Sequence, residues 1–394
     1  MSCSDAWLKL VLAEAIGPIL GHRLLDRFGH PEAIFAASEE DLVSTPGLGR
    51  TRIASLFAEC LGKSVRHEKR AMASSGVRLI PLDDPEYPAL LKQLPHPPLA
   101  LWVRGKLSQR DRLAVSIVGP RTPSAYGRLM TERLAGPLAA RALTIVSGLA
   151  HGVDAMAHRA ALESGGRTIA VLGQGLGTDV YPNFNQRLAR QICEEDRGAL
   201  ISIFPMMTAA RSGLFPQRNE IIAGMSLGTL IVEASPTSGT LITARHAAEA
   251  GRVVMACPGD ASRRSAQGAN RLIADGAVLI QRPQDVLHAV STELRREMKA
   301  IGVHPEHEND GAESAPSHNE PDRAAEPFRD DGLTCHLLRF VREAPQTIDM
   351  IMEACGAEGY ERGRIMERLL ELEMDGRLIQ LPGRVYAIAG EPGA

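Results

Sequence analysis

The 394-residue chain carries 44 Lys+Arg against 47 Asp+Glu, a formal net charge of −3, with 44% hydrophobic residues. That length and apolar share exclude a disordered or fibrous chain and lead us to expect two or three folded domains. No run approaches the ~18 uninterrupted apolar residues of a membrane span. The opening "MSCSDAWLKLVLAEAIG" breaks its apolar stretch with Asp5, Lys9 and Glu14, which makes a poor signal peptide. Six scattered cysteines (Cys3, Cys60, Cys193, Cys257, Cys335 and Cys355) contain no CxxC pair, so buried reduced thiols are expected rather than disulfides or a zinc site. The expectation is a soluble cytoplasmic protein.

Residues 1–70 read as a small helical domain. "AEAIGPILGHRLLDRFG" and "STPGLGRTRIASLFAEC" each place a glycine-containing turn before an amphipathic helix. The second has the look of a helix–hairpin–helix whose Gly47–Gly49 amides face a phosphate; equally, it is a helix connection packing its own apolar face. Residues 77–105 form an extension leading into a larger domain over 77–295. There, "LAVSIVG", "LTIVSG", "RTIAVLG", "ALISIF", "GTLIVEA", "RVVMACPG" and "AVLIQ" alternate with alanine-rich helical stretches. Continuous apolar strands joined by helical crossovers predict a Rossmann-like, doubly wound, mostly parallel α/β sheet covered on both faces.

Residues 300–331 hold almost no large apolar side chains, and from Pro305 to Asp331 nine acids face two arginines. That local net of −7 leaves about +4 on the remainder of the −3 chain. Such a segment buries too little to offset its ordering entropy, so an acidic disordered linker is expected. Residues 332–390 show three helical stretches, then two short strands around "PGR" (382–384), the order of a winged helix. Its third helix, 360–376, carries five acids and three arginines. A helix entering a phosphate-lined groove should be basic, so a protein contact or an autoinhibitory role is expected of it.

Ligands of a doubly wound sheet sit at the carboxyl ends of its strands. The loops there are "GPRTPSAYG", "SGLAHGVDAMAH", "GQGLGTDVYP", "FPMMTAARSGLFPQRN" and "ASPTSGTLITA". No G-x-G-x-x-G follows the first strand and no P-loop occurs, which argues against NAD and nucleoside triphosphates. No lysine lies between Leu107 and Met298, so the domain's basic charge is arginine, whose rigid fork suits phosphate oxygens. Thr122 reads as an N-cap and Pro123 as the first helical residue, which would set free amides beside Arg121. Arg218 and the small-residue loop Ser238-Gly239-Thr240 stand at two further helix starts. Tyr126, Tyr181, Phe184 and Phe215 all fall on these loops and are candidate stacking platforms for bases. His151, Asp154 and His158 imitate a metal site, but packing and capping account for them, and no metal or cofactor is expected.

The motifs "SIVGPRTPSAYG", "SGLAHGVDAMAHRAAL", "TIAVLGQGLGTDVYPNFNQRL", "FPQRNEIIAGMSLGTLIVEA" and "SGTLITARHAAEAGRVVMACPG" closely resemble the DNA-processing protein A family (DprA, also called Smf). The resemblance implies an extended Rossmann-like sheet and a non-catalytic binder of single-stranded DNA that protects it and helps load the RecA recombinase in natural transformation. It implies a homodimer formed through about 250–281. It makes Arg121 a backbone clamp and pairs Arg218 with Asn219. Two departures stand out: Pro120 where serine is usual, and Asn183 where some members have a lysine. The candidate DNA-contacting residues are Gly119, Arg121, Tyr126, Gly148, Gly175, Asn183, Phe184, Arg218, Asn219, Ser238, Gly239 and Thr240. The alternative is a phosphoribohydrolase of the LOG type. "MSLGTLIVEA" offers Thr229 and Glu233 for its P-G-G-x-G-T-x-x-E motif but lacks the double glycine, and three residues rather than two separate the pair.

Overall fold

The computed structural model describes residues 5–301 apart from 14 and 195, and residues 332–388 apart from 345, 376 and 382–384. The acidic segment 302–331, Cys3 and the "PGR" turn therefore lie outside the described residues. The chain divides into two compact units, Met1–Glu297 and Met298–Ala394.

The first unit opens with helices α1 (Asp5–Leu12), α2 (Pro18–Phe28), α3 (Pro31–Ala36), α4 (Glu39–Val43), α5 (Arg50–Leu56) and α6 (Glu59–Ser75). Their apolar faces bury Trp7, Leu10, Leu24, Ile34 and Val65 in a core continuous with Leu79 and Trp102 of the sheet. At the glycine turn, Arg52 donates to the Gly47 carbonyl at 2.5 Å, Arg23 donates to that of Pro46 at 3.0 Å, and Leu48 is buried.

The strands are β1 (Val77–Pro81), β2 (Ala100–Gly105), β3 (Ala114–Val118), β4 (Thr144–Ser147), β5 (Thr168–Val171), β6 (Gly198–Ser202), β7 (Gly228–Ile231), β8 (Val253–Ala256) and β9 (Val278–Leu279). They form one sheet in the order β1-β2-β6-β5-β4-β3-β7-β8-β9. β3 to β9 are parallel, as the apolar runs predict; the 77–105 segment adds two antiparallel strands, with β2 pairing β6. Helix α7 (Ala89–Lys92) joins those two.

The central strands are buried along their whole length, so their few hydroxyls must be satisfied internally. Ser116 Oγ donates to Thr229 Oγ1 at 2.7 Å and Ser147 Oγ to the Ile117 carbonyl at 2.7 Å. From β3 the chain winds outward through α8 (Ala125–Ala140), α9 (Val153–Glu163) and α10 (Gln186–Cys193). It returns along α11 (Phe215–Gly224) to β7 beside β3, then runs the other way through α12 (Thr240–Glu249) and α13 (Arg264–Ala274). The winding thus reverses between β3 and β7, the place where loops diverge and leave a crevice. Helices α14 (Pro283–Ala289) and α15 (Ser291–Ala300) follow β9.

The second unit holds α16 (Gly332–Glu343), α17 (Ile348–Ala357) and α18 (Arg362–Met374) around Leu337, Ile351, Ile365 and Leu369. Strands β11 (Leu378–Leu381) and β12 (Val385–Ile388) complete the winged helix, joined by a strand the sequence did not signal, β10 (Gln346–Thr347). Two residues carry too little periodicity to read.

Candidate nucleic-acid interface

β3 ends at Val118 and delivers Gly119, Pro120 and Arg121 to the crevice, where the loop after β4 presses against them. Gly152 in that loop has φ +81°, and a Cβ there would stand 2.4 Å from the Pro120 carbonyl oxygen, so only glycine allows this approach. His151 Nδ1–H donates to the Arg121 carbonyl at 2.5 Å, and the Val153 amide donates to that of Pro120 at 3.3 Å. These bonds fix the Arg121 backbone and leave its side chain exposed.

Arg218 enters from the first turn of α11 and is 5% exposed. Its Nη1 donates to the Val171 carbonyl at 3.1 Å and lies 3.9 Å from Asp154 Oδ2, while Nε is buried without a partner. A Cβ on Gly148 would fall 1.3 Å from Arg218 Nη1, so the guanidinium occupies the space that glycine leaves. Burial pushes the Arg218 pKa down; the Asp154 carboxylate opposes this and the charge of Arg121 adds to it. Asp154 itself accepts from the Gly148 and Ala150 amides at 3.2 and 3.4 Å. Its burial raises its pKa, against the pull of Arg218.

Phe215, three residues before Arg218, is approached by both cations. The Arg121 and Arg218 guanidinium carbons lie 5.4 and 5.8 Å from its ring centroid, within cation–π range. Two cavities meet at this wall, each lined in part by Arg121, Phe215 and Arg218. One, about 160 Å³, is bounded by His151, Tyr181, Phe184 and Gln174. The other, about 310 Å³, is bounded by Gly119, Asp154, Asn219, Ser238, Gly239 and Thr240. The first offers aromatic surface, with the His151 and Phe184 rings edge to face at 5.0 Å. The second offers small hydroxyls and the start of α12.

Nine of the twelve candidate residues thus line one cavity or the other. Gly175, Asn183 and Tyr126 line neither. The Gly175 amide donates to the Thr208 carbonyl at 2.8 Å, and a Cβ there would sit 2.1 Å from that of Pro205, a packing constraint. Asn183 is exposed at the start of a 3-10 turn. Tyr126 donates its hydroxyl to the Pro258 carbonyl at 2.6 Å, in the loop after β8.

The α8 terminus corrects the sequence reading. Ser124, not Thr122, is the N-cap, its Oγ accepting from the Gly127 amide at 3.1 Å. The amide and hydroxyl of Ser124 both donate to Glu233, at 2.9 and 2.6 Å. The protein's own carboxylate therefore occupies the anion position at this helix start, and Arg121 does not act beside free amides there. Glu233, needed as a catalyst by the phosphoribohydrolase alternative, is 3% exposed and lines neither cavity.

Other positioning groups gave little sequence signal. Asn185 is fully buried and donates to the Leu149 and Ala150 carbonyls at 2.9 and 3.4 Å, tying the loop after β5 to the loop after β4. Gln174 Oε1 accepts from the Tyr181 amide at 2.8 Å and holds that ring's loop. His158 is buried against Thr168 Oγ1 at 2.6 Å; burial first, then the charges of Arg218 and Arg159, hold its pKa down to about 3. Among the described residues, no group of three or more His, Cys, Asp or Glu forms a metal site, and no helix is long and apolar enough to cross a membrane.

Comparison with known proteins agrees with this architecture. Residues 78–291 match the model of the family described as DNA recombination-mediator protein A, and residues 320–384 match the DprA winged helix domain. Protein Smf of Escherichia coli K12 is 34% identical over 96% of this chain and 94% of its own length. The DNA processing protein DprA of Streptococcus pneumoniae R6 is 40% identical over 51% of this chain and 70% of its own length. The X-ray structure of DprA from Streptococcus pneumoniae superposes with a TM-score of 0.56 at 30% identity, covering 73% of this chain and 98% of that one. The chain belongs to the DNA recombination-mediator protein A family, whose members carry the names DprA and Smf.

Proposed function

We propose that this protein binds single-stranded DNA without sequence preference along the carboxyl edge of its sheet, protects the strand and helps load RecA onto it during natural transformation. The observation that carries the reading is the convergence of Arg121 and Arg218 on Phe215, at the wall between an aromatic cavity and a small-hydroxyl cavity. A strand needs cations for its phosphates and π-faces for its bases, and base stacking tolerates any sequence. The groups in this crevice meet both needs within one nucleotide's reach. Arg121, at the rim, contacts the backbone from solvent; Arg218, beneath it, supplies a fixed charge from the floor. Gly119, Asn219, Ser238, Gly239 and Thr240 contact phosphate, and Phe184 contacts a base. The protein works in the cytoplasm as a homodimer formed through about 250–281. Exposed Val278 and Leu279 on edge strand β9 are the apolar surface that such pairing covers.

The test is a fluorescence-anisotropy titration of the full chain with labelled oligothymidylate, mixed-sequence single strand and duplex of equal length. Similar tight binding to both single strands and much weaker binding to duplex is expected. Preference for duplex, or no binding, overturns the reading.

A further inference from the structure

The crevice contains one charge that a plain phosphate clamp does not need. Asp154 lies in the wall of the second cavity, 6% exposed, with Oδ2 3.9 Å from Arg218 Nη1 and held by the Gly148 and Ala150 amides. Two amides and the cation fix its position, so it cannot swing away when a ligand arrives. His158, also near Arg218, is uncharged at neutral pH because burial holds it down to about 3. His151 faces the Arg121 carbonyl rather than either guanidinium. Burial raises the Asp154 pKa, but the Arg218 guanidinium and the two amides favour its carboxylate. With Asp154 ionised, the charges lining the crevice are Arg121, Arg218 and Asp154, two positive and one negative.

We propose that Asp154 is a specificity-determining residue that sets this crevice to a single net positive charge, matched to the internal phosphodiester of a strand and mismatched to terminal or free phosphate. The proposal rests on the single-strand reading above. A phosphodiester carries one negative charge, whereas a phosphomonoester carries about −1.5 to −2 at pH 7. In a partly desolvated site each uncompensated charge is costly, so one net positive charge accommodates the diester and leaves the monoester with excess negative charge. Discrimination built by placing an unfavourable group against the wrong ligand is a general route to specificity. The ligand class is thus the interior of a polynucleotide, with nucleoside monophosphates and 5′-phosphorylated ends disfavoured.

Asp154→Asn keeps the acceptor oxygen for the two amides and removes the charge. Affinity of wild type and variant for oligothymidylate is measured by anisotropy, and for inorganic phosphate and dTMP by titration calorimetry, with melting curves of both proteins alongside. Both ligand types should bind the variant more tightly. The gain should be roughly tenfold for the dianions and roughly threefold for the strand, because the Coulomb change scales with ligand charge. Equal gains, or none, overturn the assignment. A second measurement needs no variant: a short oligothymidylate with a 5′-phosphate should bind wild type no better than its 5′-hydroxyl twin. A several-fold advantage for the phosphorylated strand overturns the proposal even if Asp154→Asn fails to fold. If wild type binds no oligothymidylate, the single-strand reading falls as well; if it binds and the ratios stay fixed, only the role of Asp154 falls.

Discussion

Arg121 and Arg218, 97 residues apart in sequence, approach the same phenyl ring at 5.4 and 5.8 Å. One is exposed and the other buried, so the pair spans the depth of the crevice with Phe215 as its shared support. Removing that support should loosen both. Phe215→Ala is expected to weaken single-strand binding by about 0.5–2 kcal/mol, the range of a lost cation–π contact, while Phe215→Tyr keeps most of it. Anisotropy on wild type and the two variants reads this directly.

Gly148 offers a subtler handle on the same arginine. Its missing side chain is filled by Arg218 Nη1, 1.3 Å from where a Cβ would be. Gly148→Ala must expel the guanidinium from its place against Val171 and Asp154. It should reproduce the DNA-binding loss of Arg218→Ala and lower the melting temperature, since Asp154 then stays buried without its cation. Binding curves of the two variants should nearly coincide.

His158 predicts a pH dependence of stability. In the fold its pKa is held near 3, against an ordinary value of 6.5. Below pH 6.5 the unfolded chain takes up a proton that the folded chain refuses, so this contribution falls as the medium is acidified. It is complete above pH 6.5 and declines down to about pH 3, at up to about 1.4 kcal/mol per pH unit. Chemical denaturation at pH 7 and pH 5 should show the loss, and His158→Gln should show a smaller one.

The sheet and its loops were legible because buried parallel strands are short apolar runs, and seven of them alternate with helices. The winged helix was legible from the order of its elements, three helical stretches and then two short strands, which pair antiparallel; β10 was not, because two residues leave no period. In the crevice, Arg121, Arg218 and Phe215 stood out as the domain's single basic residue type and its scarce aromatics on converging loops. Burial was the part that the sequence did not carry. Nothing in "FPQRN" says that its arginine turns inward through the gap at Gly148, or that Asp154 waits beneath it. The α8 start was misread because Thr122-Pro123 and Ser124 are both plausible caps locally. The choice is made by Glu233, 109 residues further along the chain. Tyr126 likewise looked available and is tied to Pro258 by its hydroxyl.

Glu233 itself gives a prediction about stability. Its oxygens satisfy the amide and hydroxyl of Ser124, and Ser265 Oγ lies 3.4 Å away. Glu233→Ala strands those donors and opens a gap beside Gly127, so a loss of about 1–3 kcal/mol in unfolding free energy is expected. The same variant and the wild type should release no base from nucleoside monophosphates, measured by chromatography after prolonged incubation.

The most direct measurement is the salt dependence of oligothymidylate affinity for wild type and Arg121→Ala. Each phosphate neutralised by a cation contributes a log–log slope of about 0.7 for a single strand. An exposed arginine acting as a backbone clamp therefore predicts that the variant binds more weakly and that its slope is shallower by about 0.7. Parallel lines with unchanged affinity would show that no phosphate meets Arg121, and the crevice would lose its claim to be where the strand lies.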